Sequence, residues 1–136
     1  MGVIALDSNV FIRALDDPGP LGEKSRTFLE KLRQATSKVF ISVMVLEEFF
    51  VKVYKTGKDK DFNRILDFIT MGGLVQLVDV NRQIALLAAK IRADYNIKAP
   101  DAIHLASAIE SGAKVFITTD KRLPRKVGKL TVEILS

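Results

Sequence analysis

Short, nearly continuous apolar runs, each followed by a segment of helical periodicity, constrain this chain more than any other feature. Residues 2–6 (GVIAL), 38–42 (KVFIS), 74–78 (LVQLV) and 114–119 (KVFITT) lack the polar alternation of a half-solvated strand. Runs of that kind belong to parallel sheets covered on both faces. A fifth strand is expected over 130–135 (LTVEIL). Between them, apolar residues step at helical spacing. Leu21, Phe28, Leu29 and Leu32 share one face, Phe62, Ile65, Leu66 and Ile69 another, and Ile84, Leu87, Ala88, Ile91 and Tyr95 a third. Further helices are predicted over 9–15, from a Ser42 N-cap to Gly57, and from Pro100 to Ile109, with Gly22 or a neighbour opening the second helix. Strands alternating with helices imply right-handed crossovers. The expected class is α/β: three layers, α/β/α, around a central parallel sheet of about five strands, in one domain spanning 1–136.

Composition narrows the function classes. The 136 residues contain no cysteine, which excludes a disulfide framework and a thiolate metal site. No apolar run approaches the roughly 20 residues of a membrane span, and Asp7 interrupts what would be a signal sequence's apolar region. The chain therefore reads as soluble and cytoplasmic, with no membrane partner. Its net charge of +5 and pI near 9.6 favour a polyanion.

The acids carry the chemistry. Asp7 and Asp120 each follow an apolar strand directly, where open α/β sheets place their ligands. Asp101 follows Pro100 in the first turn of a helix, where the macrodipole favours a carboxylate. Glu47 and Glu48 interrupt an otherwise apolar helix, and periodicity does not choose between them. Singly, each has a plainer reading as turn former, cap or solvated acid. Together in one cleft they would repel one another and call for a cation, and Mg²⁺ or Mn²⁺ prefers such oxygen ligands and pairs with phosphate. A metal-activated water could then hydrolyse a phosphodiester without a Ser-His-Asp triad. His104, the sole histidine, reads as structural or surface, and "DKRLPRKVGK" as a solvated run placed to meet a phosphate backbone.

The whole chain resembles the PIN-domain nucleases and, within them, the VapC toxins of prokaryotic toxin-antitoxin pairs. "LDSNV" is similar to the family's first motif, with Asp7, Ser8 and Asn9 at its positions. "ISVMVLEEFF" resembles the second, whose glutamate lies six residues past the helix-starting serine; this selects Glu48. "APDAIHLASA" supplies Asp101, and "FITTDKRL" supplies Thr118 and Asp120. Ser8 stands where threonine is commoner, and Leu123 replaces a frequent phenylalanine. The resemblance implies a PIN-like fold and a Mg²⁺- or Mn²⁺-dependent ribonuclease. Asp7, Glu48, Asp101 and Asp120 would be its catalytic metal ligands, supported by Ser8, Asn9 and Thr118. It also implies an RNA substrate, a homodimer and an antitoxin protein. A PIN nuclease of RNA processing and a catalytically inactive RNA-binding domain are the alternatives. A haloacid-dehalogenase phosphatase would need an aspartate at Asn9, a response-regulator receiver needs a lysine and paired acids in other elements, and neither a GxxxxGK loop nor a GxGxxG turn is present.

Overall fold

The computed structural model describes residues 2–136; Met1, the first residue of the expected domain, lies outside them. Strand β1 (Val3–Leu6) leads into α1 (Ser8–Asp16), α2 (Pro20–Gln34), β2 (Lys38–Ser42) and α3 (Met44–Lys55). Then follow α4 (Phe62–Thr70), β3 (Val75–Val78), α5 (Arg82–Tyr95), α6 (Ala99–Glu110), β4 (Val115–Thr118), β5 (Lys126–Val127) and β6 (Leu130–Ile134), with short 3₁₀ turns on either side of α4. The sheet order is β3-β2-β1-β4-β6-β5. β1 pairs in parallel with both β2 and β4, so the strand order reverses at the centre of the sheet. The carboxyl ends of β1 and β4 lie side by side there, joined by a 2.9 Å hydrogen bond from the Asp7 N–H to the Ile117 carbonyl.

Side-chain alternation on these strands feeds two cores. Ile4 and Leu6 point with Ile117 into a core shared with α1–α4, where Val10, Phe11, Phe49 and Val53 are buried. Ala5 and Phe116 point the other way, against Ile84, Ala88 and Ile91 of α5 and Leu105 of α6. Both faces of the central strands are covered, as their continuous apolar sequence requires. Each fully buried Phe contributes on the order of 1.5–3 kcal/mol through burial, which fixes the strand ends carrying the acids.

Two expectations change, the strand count and direction of the sheet and the cap of α3. The sheet has six strands rather than five and is not wholly parallel, because β5 and β6 form an antiparallel hairpin. Gly128 makes its tight turn at φ +59°, inside the basic run that otherwise reads as a loop. β6 is solvated on one face, with Thr131 and Glu133 exposed. Helix α2 starts at Pro20, two positions before Gly22 and so among the neighbours expected to open it, at the first-turn position where proline's fixed φ costs nothing. Helix α3 starts at Met44, whose N–H is accepted by the Ser42 side chain at 3.1 Å, so Ser42 caps from one position further out. No helix among the described residues is long and apolar enough to cross a membrane.

Candidate active site

The innermost acid is set by the junction of β1 and α1. Asp7 is the N-cap of α1, and its Oδ1 accepts the Ser8 N–H at 2.8 Å. Its Oδ2 accepts the Thr118 hydroxyl at 2.8 Å and the Asn9 amide at 3.2 Å. Asn9 also donates to Thr118 Oγ1 at 3.1 Å and accepts the Thr119 N–H at 3.0 Å. Thr118 Oγ1 in turn accepts the Asp120 N–H at 3.1 Å. Asn9 and Thr118 therefore stitch the ends of β1 and β4 together, and with Ser8 they orient Asp7, while Thr118 also holds the Asp120 backbone. Asp7 is 3% exposed. Burial pushes its carboxyl above the ordinary range, against the opposing pull of His104 and the Thr118 and Ser8 hydrogen bonds.

Helix α3 separates the two glutamates. Val45, Phe49 and Val53 form its buried stripe; Glu48 borders that stripe half-buried, whereas Glu47 is exposed to solvent. His104 Nε2 donates to Glu48 Oε1 at 2.5 Å and stands 3.8 Å from Asp7 Oδ1. Burial raises the Glu48 carboxyl, but the His104 hydrogen bond and charge outweigh it, and the net direction is downward. For His104, burial opposes protonation; the Glu48 hydrogen bond and the charges of Asp7, Glu48 and Asp101 reverse this and raise it above its ordinary value. Its Nδ1 is buried without a hydrogen-bond partner among the described residues. Of the two readings its sequence allows, structural or surface, burial excludes the surface one, and His104 sits between two of the candidate acids. The available signal was its place one helical turn after Asp101.

Asp101 and Asp120 form the outer part. Asp101 lies in the first turn of α6, half-buried, with no hydrogen-bond or ion-pair partner among the described residues. Burial and then the charges of Asp7 and Asp120 raise its carboxyl. Asp120 is gripped by Arg122: Oδ1 accepts the Arg122 backbone N–H at 2.9 Å and Nε at 3.0 Å, and Oδ2 accepts Nη2 at 3.1 Å. The Arg122 hydrogen bond holds Asp120 below the usual carboxylate range. Both acids line one cleft of about 380 Å³. The structure therefore brings all four predicted acids to one edge of the sheet. Among the described residues they do not close into a ready-made metal cage, since Glu48 is engaged by His104 and Asp120 by Arg122.

A doubly wound α/β domain with carboxylates gathered at its switch point is the class that fold and site define. Residues 4–129 match the family model of the PIN domain, and the chain belongs to the PIN domain family. It is similar in structure to VapBC2 from Rickettsia felis bound to a promoter DNA fragment, at TM-score 0.76 and 19% identity, covering 98% of this chain and 99% of that one. FitAcB from Neisseria gonorrhoeae matches at TM-score 0.69 and 20% identity over 95% of each chain. The Sarcin-Ricin loop cleaving toxin VapC20 of Mycobacterium tuberculosis matches at TM-score 0.64 and 14% identity, over 83% of this chain and 86% of that one. No curated protein matches the chain significantly.

Proposed function

We propose that this PIN domain is a Mg²⁺- or Mn²⁺-dependent endoribonuclease, acting as the toxin of a toxin-antitoxin pair. The observation that carries the reading is Asp101: a half-buried carboxylate with no hydrogen-bond or ion-pair partner among the described residues, raised by burial and by two neighbouring acids. Such an arrangement stores repulsion that a divalent cation relieves. The donor set consists of oxygens, which suits a hard ion that keeps several of its waters and needs few protein ligands, rather than a structural zinc. Asp7, Glu48, Asp101 and Asp120 would hold it. When bound, such an ion supplies an activated water and neutralises charge building on the phosphate oxygens.

The protein's own residues do the rest. Asn9 and Thr118 fix the Asp7 carboxylate through both the β1 and β4 ends. His104 aims Glu48 toward Asp7 and holds it there. The positive net charge supports an RNA substrate. An antitoxin partner is supported by the solved relatives, which include VapBC and toxin-antitoxin complexes. A homodimer is part of the same proposal and rests on the family resemblance.

The test is cleavage of mixed RNAs. Activity should require Mg²⁺ or Mn²⁺, EDTA should stop it while the circular dichroism spectrum stays unchanged, and products should carry 5′-phosphate and 3′-hydroxyl ends. Products ending in 2′,3′-cyclic phosphate, or full activity in EDTA, would overturn the mechanism.

A further inference from the structure

Two clefts flank the carboxylates, and their cations differ. On the α1 side a cleft of about 450 Å³ is lined by Asn9, Arg13, Asp16, Asp17 and Lys52. Its cations are already neutralised: Arg13 pairs with Asp17 at 3.0 Å, and Lys52 pairs with Asp16. On the other side, the 380 Å³ cleft between the end of α5, the start of α6 and the loop after β4 is lined by Arg92, Asn96, Lys98, Arg122, Asp101 and Asp120. Arg92 and Lys98 are exposed there, and among the described residues neither has a carboxylate within ion-pair distance or donates a side-chain hydrogen bond. Arg122 stands between them and the acids, its guanidinium held by Asp120 but its side chain 80% exposed.

Unpaired cations beside a carboxylate cluster mark where a polyanion can approach without displacing an existing partner. The volume falls in the range of small-ligand clefts, about 300–1,000 Å³, so it admits a nucleotide unit of a flexible strand. We infer that this cleft, through Arg92 and Lys98, binds the phosphodiester backbone of single-stranded RNA next to the bond that is cut, so that the strand leaves the site past α5 and α6 and not past α1. The inference rests on the nuclease reading and gives it a direction. Arg122 lies at the boundary, where it can contact the incoming phosphate once Asp120 is engaged elsewhere.

The experiment compares two charge-matched variants, Arg92→Ala/Lys98→Ala and Arg13→Ala/Lys52→Ala, binding an end-labelled single-stranded RNA of mixed sequence in EDTA. All four side chains are exposed or part-exposed, and thermal melts check that both variants fold. The first variant should bind about tenfold more weakly. Its log Kd against log salt slope should fall by about 1.4, at about 0.7 for each lost phosphate contact to a single strand. The second variant should match the parent, and Arg92→Lys/Lys98→Arg should restore binding. With Mg²⁺, the first variant should raise KM with kcat nearly unchanged. Equal losses in both variants would reduce the effect to net charge and overturn the inference. So would an unaffected first variant, no RNA binding by the parent, or a preference of the cleft for duplex DNA over RNA. The nuclease reading is judged separately, by metal-dependent cleavage in the parent: cleavage with an unaffected Arg92→Ala/Lys98→Ala variant removes only the cleft assignment.

Discussion

The inner and outer halves of the candidate site are built on opposite principles. Inside, Asp7 and Glu48 are held by groups from three segments: Ser8 and Asn9 beside Asp7, Thr118 on β4 and His104 on α6. Outside, Asp101 has no partner among the described residues, and Asp120 is held by an arginine two residues away whose side chain is largely in water. Hydrogen bonds in a buried network are costly to break because each leaves a desolvated group behind. An exposed ion pair is screened by water and exchanges readily. The inner half is therefore suited to holding geometry before any ligand arrives, and the outer half to exchanging its partner when one does.

The comparison breaks most decisively at the inner acids. Asp7→Asn and Glu48→Gln should each lower metal-dependent RNA cleavage by more than about 100-fold, exceeding the 10–100-fold typical of groups that only orient ligands. Glu47→Gln, on the solvent side of the same helix, should stay close to the parent. Initial rates with Mn²⁺ decide it, and a Glu47 variant that fails while the Glu48 variant works would reverse the assignment.

His104 offers the next largest effect. His104→Leu removes the N–H that orients Glu48, so Mn²⁺ affinity measured by calorimetry should fall about tenfold. The loss of a partner for the half-buried Glu48 should cost about 1–3 kcal/mol of stability. His104→Gln, which keeps a donor, should recover part of the affinity. Equal Mn²⁺ affinity in His104→Leu and the parent would show that the inner network does not orient the metal ligands.

At the outer half the sign should reverse. Arg122→Ala removes a cation that competes for Asp120, so apoprotein affinity for Mn²⁺ should rise by a few fold, as expected when a weak, solvent-screened ion pair is removed, while RNA binding weakens. Parallel loss of both would make Arg122 a fixed part of the site and erase the distinction between the halves.

The smallest effect is on stability against pH in EDTA. His104 is raised in the folded state, so its contribution is full below its ordinary 6.5 and is lost as pH rises through the higher folded value. Asp7 and Asp101 are also raised, and their cost grows as pH climbs from the ordinary 3.8 through their folded values. Glu48 is lowered, and its contribution is lost only as pH falls below its ordinary 4.5. Thermal midpoints should therefore be highest in mildly acidic solution and decline toward alkaline pH. Mg²⁺ should flatten that decline by compensating the ionised carboxylates. An apoprotein that gains stability between about pH 6 and about pH 9 would contradict the upward shift of His104.

Local pattern alone determined much of this protein. Continuous apolar runs specify buried parallel strands because both faces must be covered, and helical stripes specify the layers that cover them. An aspartate directly after such a strand stands at the ligand edge by topology, which made Asp7 and Asp120 legible, while the choice of Glu48 came only from the resemblance to the PIN family's second motif. Tertiary structure decided what depends on contacts between distant segments. Periodicity leaves Glu47 and Glu48 equivalent; the packing of Phe49 and Val53 turns α3 so that Glu48 meets His104, 56 positions away in sequence. A lone histidine on an apolar face shows only the neighbour on its own helix, Asp101; the charges of Asp7 and Glu48 that also raise it arrive from the end of β1 and from α3. Arg122 lies in a basic run that is indistinguishable from a solvated loop until its backbone turns the guanidinium onto Asp120. The short β5 stayed hidden for a similar reason: two residues carry no periodicity, and only pairing with β6 makes them a strand.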